Sequence, residues 1–279
     1  MNLYSILTGR FKLDGGAMFG VVPKSIWQKL NPPDEQNLCS WEMRCLLIED
    51  GNDLILIDNG IGNKQSEKFF SHYYLHGDDT LEKSLAKYGF HKSDITHVFL
   101  THLHFDHCGG SIERKGDELV PAFQNARYFS NEAHWNWAIQ PNDREKASFL
   151  KENILPIQDN GQLEFLPLTE GFEFTKNFKV RFVNGHTEAM MLPQISYKGH
   201  TLIYMADLLP SVAHIPLPYV MAYDMFPLKT LMEKKSFLQE AVEKKYILFF
   251  EHDPSIECCT VEMTEKGIRQ ERTFLLKDL

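Results

Sequence analysis

Four side chains of types that commonly bind metal ions lie within six positions of this 279-residue chain. Residues 101–110 read Thr-His-Leu-His-Phe-Asp-His-Cys-Gly-Gly, and the candidate ligands are His102, His104, Asp106 and His107. Imidazole nitrogens mixed with a carboxylate, without a thiolate pair, suit zinc or another first-row divalent ion better than calcium or an iron–sulfur cluster. The spacing therefore predicts a metal site, against the alternative of four surface polar residues beside a strand.

The elements around this motif are those needed to position its side chains. The motif follows an apolar run at residues 95–100, which is typical of a buried strand. Alternate residues of an extended chain point to the same side, so His102 and His104 can hold one ion. Where the chain then turns into a helix, Asp106 and His107 face a second position.

Three further apolar runs each end at a candidate ligand. Residues 178–183 precede His186, residues 202–205 precede Asp207, and residues 246–250 precede His252. Each run indicates a strand, and Gly185 allows a tight turn before His186. The repeated position at a strand's carboxyl end predicts that these three residues supply the distant ligands.

The motif and the later ligands resemble, in this order, the metallo-β-lactamase superfamily, whose His-x-His-x-Asp-His motif is followed by a Gly-His, a lone Asp and a late His. The resemblance spans almost the whole chain. The strands and helices of the sequence suit two sheets covered by helices, and the four-layer αββα sandwich of the family fits them. We therefore expect an α+β fold and a single hydrolase domain over residues 1–279, because no linker or repeat marks a second domain.

The resemblance also implies two ligand sets. The first ion would be held by His102, His104 and His186. The second would be held by Asp106, His107 and His252, and Asp207 would bridge the two ions. Zinc is the expected metal, although the same ligands accept manganese, iron or cobalt.

Two positions distinguish this chain from relatives. Members with di-iron redox chemistry carry Glu where this chain has His104, which favours hydrolysis. Many relatives have Pro-Gly after the Thr that corresponds to Thr187, whereas this chain continues with Glu188 and Ala189. This second departure concerns the shape of the loop around His186, since the ligand itself is present.

Asp58 is the carboxylate expected to accept a hydrogen bond from a metal-binding histidine. It ends the apolar run 54–57, and the family places a comparable carboxylate under the first metal-binding loop. A ligating imidazole usually donates its other N–H to such a carboxylate, which fixes the tautomer. The alternative is that Asp58 only caps a turn with Gly60.

Composition and charge restrict the partners of the chain. Its apolar content of 43% is enough for a core of ordinary size, and its net charge of −9 argues against a nucleic-acid partner. Five cysteines without a Cys-x-x-Cys pair predict reduced thiols, with Cys108 as a small buried side chain. We find no secretory signal and no run long enough to span a membrane, so a cytoplasmic protein, possibly a homodimer, is expected.

Periodicity predicts the remaining elements. Hairpin turns are expected at residues 49–52, 198–200 and 264–267. Helices are expected at residues 80–88, 131–139, 143–153 and 227–245.

The predicted reaction is hydrolysis by a hydroxide that bridges two divalent ions. Such a pair lowers the pKa of water and polarises a carbonyl or phosphoryl oxygen. Asp106 and Asp207 are the catalytic carboxylates of this scheme, and no serine or cysteine nucleophile is needed. Tyr223 could donate a hydrogen bond to the substrate oxygen or the leaving alkoxide, with plain packing as its alternative.

The expected pocket walls favour a substrate with an apolar portion. Residues 14–20 read as a glycine-rich loop that could carry Met18 and Phe19 as a flexible apolar lip, or could be an ordinary turn that places them in the core. Residues 14–24, Phe105 and residues 220–224 resemble the branch that contains N-acyl homoserine lactonases and methyl parathion hydrolase-like enzymes. With Met221 and Phe226, these residues suit an acyl chain or an aromatic leaving group. His214 is a further histidine near this region and is expected to be structural.

A lactone of the N-acyl homoserine type is the leading substrate. A phosphotriesterase, a phosphodiesterase or another esterase would use the same ions. A glyoxalase-II-like thioesterase is less favoured, because residues after His252 read as a short hairpin and tail rather than a helical region. A non-catalytic, metal-stabilised binding protein is the lesser alternative, since all seven ligands are present.

Overall fold

The computed structural model describes residues 1–279, and the chain divides into two compact units. Unit 1 comprises Met1–Arg10 and Met43–Thr169, and unit 2 comprises Phe11–Glu42 and Glu170–Leu279. The organisation of residues 1–279 as a single domain stays a prediction. No helix has both the length and the apolar content needed to cross a bilayer.

The strands are, in chain order, β1 (Asn2–Asp14), β2 (Leu38–Asp50), β3 (Asp53–Ile57), β4 (His97–Phe99), β5 (Ile112–Lys115), β6 (Glu118–Pro121), β7 (Arg127–Asn131), β8 (Leu163–Leu166), β9 (Phe172–Thr175), β10 (Phe178–Val183), β11 (Met190–Tyr197), β12 (His200–Tyr204), β13 (Ile247–Phe249), β14 (Cys258–Thr264) and β15 (Gly267–Phe274). The α-helices are α1 (Gly15–Phe19), α2 (Lys24–Trp27), α3 (Glu67–Ser71), α4 (Leu81–Lys87), α5 (Phe105–Cys108), α6 (Glu132–Ile139), α7 (Lys151–Asp159) and α8 (Pro227–Lys244).

A six-stranded sheet in the order β1-β2-β3-β4-β7-β8 carries the motif of unit 1. Strands β3, β4, β7 and β8 pair in parallel, so their carboxyl ends lie at one edge. The register pairs Ile57 with Phe99, and Asp58 N–H donates to the Phe99 carbonyl at 2.9 Å. This pairing places Asp58 next to the start of the motif loop. Buried Leu56, Val98 and Leu100 belong to the apolar core beneath it.

A seven-stranded sheet in the order β15-β14-β13-β12-β11-β10-β9 forms most of unit 2. β12 and β13 pair in parallel, and α8 lies in the connection between them. β10 and β12 both run antiparallel to β11, so β10, β12 and β13 point the same way. Helix α8 begins with Pro227 at its first turn and ends at Lys244, and the next residue, Lys245, has a left-handed φ of 54°.

Most of the elements expected from periodicity are present. The five strands that precede Asp58, the motif, His186, Asp207 and His252 form, as do the three hairpins. Helices at residues 80–88, 131–139 and 227–245 are confirmed within one residue at each end.

The helix expected at residues 143–153 is wrong. Residues 143–148 form turns, and α7 starts only at Lys151. The side-chain oxygen of Asn142 accepts hydrogen bonds from the backbone N–H groups of Arg144 (2.9 Å) and Glu145 (3.1 Å). Such a bond closes a tight local turn in competition with helical hydrogen bonding. It also turns Glu145 into the interior, where the side chain is buried.

The flexible lip expected at residues 14–20 is also wrong. Residues Gly15–Phe19 form helix α1, which Asp14 caps by accepting from Ala17 N–H at 2.8 Å. Met18 and Phe19 are buried, and Phe19 stacks on Trp27 and His214 with ring centroids 5.2 and 4.8 Å away. The alternative, in which the two side chains enter the core, describes this segment.

Candidate metal centre

The motif of unit 1 brings its four donors together in two neighbouring pairs. His102 Nε2 lies 3.1 Å from His104 Nδ1, and His107 Nε2 lies 3.9 Å from the Asp106 carboxylate. His102 and His104 lie in the irregular segment after β4, whereas Asp106 and His107 lie on α5. The change from extended chain to helix separates the two pairs, as the spacing predicts.

Two carboxylates orient the imidazoles of unit 1. Asp58 is completely buried and accepts from Thr101 N–H (2.8 Å), Thr101 Oγ1–H (2.7 Å) and His107 Nδ1–H (3.1 Å). Glu145 accepts from His104 Nε2–H at 2.9 Å. A carboxylate oxygen only accepts hydrogen bonds, so each contact fixes a tautomer. The unprotonated nitrogens are then Nε2 of His107 and Nδ1 of His104, as metal binding requires.

The glycine pair that follows the motif allows a close approach of two backbone segments. A Cβ atom at Gly109 would overlap the backbone of Ile61, and one at Gly110 would overlap the Asn59 carbonyl. Asn59 N–H donates to the His107 carbonyl at 2.8 Å, and Gly110 N–H donates to the Gly60 carbonyl at 2.9 Å. The segment after Asp58 is thereby joined to the C-terminal end of α5 and to the glycine pair that follows it.

Cys108 has no chemistry in this arrangement. Its side chain is fully buried, its thiol lies 3.3 Å from the Leu103 carbonyl, and burial raises the pKa of the thiol to about 12. All five cysteines are free and buried, which agrees with the expectation of reduced thiols.

An aromatic cluster next to Asp106 was missed by the sequence reasoning. The ring of Phe105 lies 5.4 Å from that of Phe69 and 4.6 Å from that of Tyr73, measured between centroids. Burial raises the pKa of Tyr73 to about 12, with the negative charge of Asp106 adding to the shift. The aromatic run around α3 was a usable signal, because three of its rings fall within five positions.

The donors of unit 2 converge on one carboxylate. His186 Nε2 lies 3.1 Å from Asp207 Oδ2, and His252 Nε2 lies 3.2 Å from Asp207 Oδ1. Each donor is the third residue after its strand, namely β10, β12 or β13. Since these strands point the same way, the equal offset brings the three side chains to one edge of the sheet.

In unit 2, the ring nitrogens that face away from Asp207 also form hydrogen bonds. His186 Nδ1–H donates to Asp224 Oδ1 at 2.8 Å, and His252 Nδ1–H donates to the Glu42 carbonyl at 2.7 Å. Burial by itself lowers the pKa of His186, but the carboxylates of Asp207 and Asp224 outweigh it and raise the pKa to about 10. The surroundings of His186 therefore favour positive charge.

The loop around His186 keeps a strained but well-bonded shape. Ala189 has a φ of 51°, and its N–H donates to the Asn184 side chain at 3.0 Å. Gly185 packs against the first turn of α8, where a Cβ would overlap Thr230. Strain of this kind next to a ligand persists only when several contacts fix the loop.

The segment 221–226 lies beside these donors in unit 2. Met225 N–H donates to the His186 carbonyl (3.0 Å), and Phe226 N–H donates to the Gly185 carbonyl (2.8 Å). Met221 is buried, whereas Tyr223 and Phe226 are 37% and 42% exposed. The segment also contacts α1, because Ala222 N–H donates to the Ala17 carbonyl at 2.8 Å.

His214 is structural. Its two ring nitrogens lie 2.8 Å from Ser211 Oγ and 2.9 Å from the Met18 carbonyl. Burial lowers its pKa to about 3, so the ring is neutral at neutral pH.

The donor chemistry fits divalent metal ions. The seven ligands expected from the sequence all belong to groups that could hold a metal ion: His102, His104, Asp106, His107, His186, Asp207 and His252. Within unit 1, His102 Nε2 and His104 Nδ1 face each other, and within unit 2 the Nε2 atoms of His186 and His252 face the same carboxylate. Buried arrangements of this kind require a positive charge between the donors.

Comparison with known proteins gives consistent results. The family model described as "Metallo-beta-lactamase superfamily" matches residues 44–252. N-acyl homoserine lactonase AiiA of Bacillus thuringiensis subsp. kurstaki is 24% identical over 265 residues, which cover 90% of this chain and 93% of the relative. The N-acyl homoserine lactonase of Bacillus cereus has the same identity and coverage.

Two solved structures have closely similar folds. A probable metal-dependent hydrolase from Staphylococcus aureus superposes with a TM-score of 0.89 at 29% identity, covering 100% of this chain and 98% of the other. AidC, a dizinc quorum-quenching lactonase solved with a product, gives a TM-score of 0.79 at 22% identity, with coverages of 98% and 95%. The α+β sandwich fold expected from the sequence is confirmed by these similarities.

Proposed function

Because the chain belongs to the metallo-β-lactamase superfamily and is a metal-dependent hydrolase, we propose that it opens the ring of a lactone of the N-acyl homoserine type. The curated relatives named above carry this activity in their names, and the match covers nine-tenths of this chain. The observation that carries the proposal is the position of Asp207, with a different carboxylate oxygen toward each of His186 and His252. A carboxylate presented in this way can serve two ions.

The proposed ligand sets follow the sequence motif. His102, His104 and His186 would hold one ion, Asp106, His107 and His252 would hold the other, and Asp207 would be a ligand of both. Zinc is the proposed metal. When bound, the ions supply a water of lowered pKa and polarise the carbonyl oxygen of the substrate.

The side chains of the protein prepare this chemistry by fixing protons. Asp58, Glu145 and Asp224 accept the outward N–H groups of His107, His104 and His186, so these imidazoles cannot rotate or change tautomer. Because this orientation exists before the substrate arrives, no reorganisation of the ligands is needed during the reaction.

Tyr223 is the proposed proton donor. Ring opening leaves an alkoxide, and a phenol can donate a hydrogen bond or a proton to it. Tyr223 is partly exposed, and its segment is bonded to the Gly185 and His186 carbonyls. These contacts support a fixed position for Tyr223 near a ligand loop.

The proposed apolar contacts are aromatic and aliphatic side chains. Phe105 offers an aromatic surface together with Phe69 and Tyr73, and Met221 and Phe226 belong to the segment that carries Tyr223. These side chains suit an acyl chain. Met18 and Phe19 are omitted from the proposed pocket because they are buried in the structure.

Proton release during ring opening tests the proposal. Metal-loaded and chelator-stripped protein are compared on N-decanoyl homoserine lactone, with Asp207→Ala as a further control. Acid production that requires metal and Asp207 supports lactonase activity. If protein loaded with metal gives no release above background, the lactone proposal fails. A parallel assay with an aryl phosphotriester then tests whether the same residues act on phosphoesters.

A further inference from the structure

We propose that two adjacent residues of α8, Glu233 and Lys234, are positioning residues with separate tasks: Glu233 fixes the loop that ends in His186, and Lys234 fixes the start of the segment that carries Tyr223. The inference rests on the proposed function, because it assigns both residues to that site. Neither side chain touches a proposed reacting atom. Each acts through the backbone of a different loop of unit 2.

Glu233 is bonded to the turn that precedes His186. Its two carboxylate oxygens accept from Asn184 N–H (2.8 Å) and Gly185 N–H (2.9 Å). Burial raises the pKa of Glu233, while these two backbone N–H groups oppose the shift. Charge-assisted bonds to two consecutive amides define both the position and the direction of the chain that leads into His186.

The same turn is held from its other side by α8. Gly185 packs against Thr230 so closely that a Cβ would overlap it, and Thr230 lies less than one turn before Glu233. The His186 loop therefore depends on a short stretch of one helix. A shift of this helix would move a ligand.

Lys234 is bonded to a different loop. Its side chain is buried, and Nζ donates to the carbonyl oxygens of Pro216 (3.3 Å), Leu217 (3.5 Å) and Tyr219 (2.6 Å). Burying an ammonium group is costly unless its donors are satisfied. Three carbonyls of one turn around a single Nζ indicate that this turn is built on the lysine.

The chain before Tyr223 and the chain after it are fixed by hydrogen bonds to different parts of unit 2. The chain enters the segment from the turn held by Lys234, and it leaves through Met225 and Phe226, whose N–H groups donate to the His186 and Gly185 carbonyls. Lys234, Met221 and Asp224 also line a narrow space that has no room for a water molecule. Loss of Lys234 would loosen the entry to the segment while the exit stays bonded to the His186 loop.

These contacts predict different defects for neighbouring substitutions. Lys234→Met should raise KM between about 10- and 100-fold through misplacement of substrate-contacting groups, with metal affinity unchanged. Glu233→Gln replaces one acceptor oxygen by an NH2 group, which cannot accept a hydrogen bond, so it should weaken metal binding by about tenfold. Lys235→Met and Glu243→Gln change exposed residues of the same helix and should have neither effect.

The experiment combines three readouts on these four variants and the wild type. Cobalt affinity is measured by competition with a chelator, hydrogen exchange is followed at residues 216–224, and kcat and KM are measured with N-decanoyl homoserine lactone. If the lactone is not a substrate, 4-nitrophenyl octanoate replaces it. Cobalt affinity and hydrogen exchange need no substrate, so failure of the lactone proposal is distinguishable from failure of this one.

The expected result is a division of effects: faster exchange at 216–224 with raised KM in Lys234→Met, and weaker cobalt binding in Glu233→Gln. The proposal is overturned if both variants change both properties alike, or if neither differs from the exposed-site controls. Should Lys234→Met fail to fold, Lys234→Gln, which keeps N–H donors, takes its place. It should show the same pattern with smaller changes.

Discussion

The two units present their metal-binding side chains in different ways. Unit 1 offers four donors within six consecutive residues, and unit 2 offers three donors spread from His186 to His252, each beyond a different strand. In unit 1 the geometry comes from one local change from extended chain to helix. In unit 2 it comes from strand direction, register and the contacts of α8. Similar metal-binding side chains can therefore be brought together by local sequence in one unit and only by tertiary structure in the other.

The units also differ in the groups that accept a hydrogen bond from the second ring nitrogen of their histidines. Unit 1 uses the carboxylates of Asp58 and Glu145, whereas unit 2 uses one carboxylate, Asp224, and one backbone carbonyl, that of Glu42. A carbonyl carries no full charge. His252 is thus oriented with less added negative charge than His104, His107 and His186.

The largest effect is expected from removing one donor of either unit. His104→Ala in unit 1 and Asp207→Ala in unit 2 should each reduce hydrolysis to background and lower the bound metal, because each removes a proposed ligand. Metal analysis and the proton-release assay check this. Full hydrolysis by either variant would contradict the two-metal proposal, and an effect confined to one of them would show that only that unit is needed.

A smaller effect is expected from the orienting carboxylates. Asp58→Asn and Asp224→Asn should each weaken metal affinity by about 10- to 100-fold, because a neutral amide then takes the place of the carboxylate that orients the histidine ring. Chelator competition measures this. Asp117→Asn and Glu262→Asn change exposed acids of units 1 and 2 and serve as controls. Equal losses in all four variants would mean that total charge matters rather than orientation.

Close packing gives the next prediction. Gly185→Ala should destabilise the protein by about 1–3 kcal/mol, because the added methyl group overlaps Thr230 at the start of α8. Urea unfolding measures the loss. Gly199→Ala, at a residue with a φ of 80° and open space around it, measures the cost of backbone strain without crowding. Unchanged stability of Gly185→Ala would refute the close approach.

The smallest effect concerns the charged cluster on α8. Burial alone raises the pKa of Glu240, but hydrogen bonds from Lys244, Arg181 and Tyr246 outweigh it and lower the pKa to about 2. A depressed carboxyl pKa adds stability above the unfolded value of about 4.5, and this contribution falls as the pH drops from there toward 2.

Glu240→Gln should therefore lower stability by about 1 kcal/mol or less at pH 7, since the cluster is partly exposed. The difference from wild type in urea midpoint should shrink by pH 3. A difference that stays constant with pH would assign the effect to packing.

The candidate metal ligands could be identified from the sequence more completely than the residues that orient them. All seven candidate ligands were visible because each follows an apolar strand, and local periodicity is sufficient to detect strands. Glu145 and Asp224 were missed because they lie 41 and 38 residues from the imidazoles they hold, and spacing along the chain does not reveal contacts at such a separation. Asp58 was found because the family supplies its place, although the same residue also fits a simple turn.

Two sequence predictions failed for local reasons. The pattern at residues 143–153 has helical spacing, but Asn142 closes a turn that spacing cannot reveal. Residues 14–20 contain three glycines, yet Asp14 caps a short helix and the aromatic neighbours of Phe19 draw it into the interior. Both outcomes depend on side-chain hydrogen bonds and distant packing rather than on composition.

The parallel pairing of β12 with β13 has a consequence for how the protein acquires its metal during folding. Asp207 and His252 reach their common edge only after the intervening chain, with α8, has crossed back over the sheet, and contacts of such long sequence separation form slowly. The segment His102–His107 needs no such closure and can capture a cation in the unfolded chain. Excess zinc present from the start should accordingly retard refolding, whereas zinc added after refolding should not.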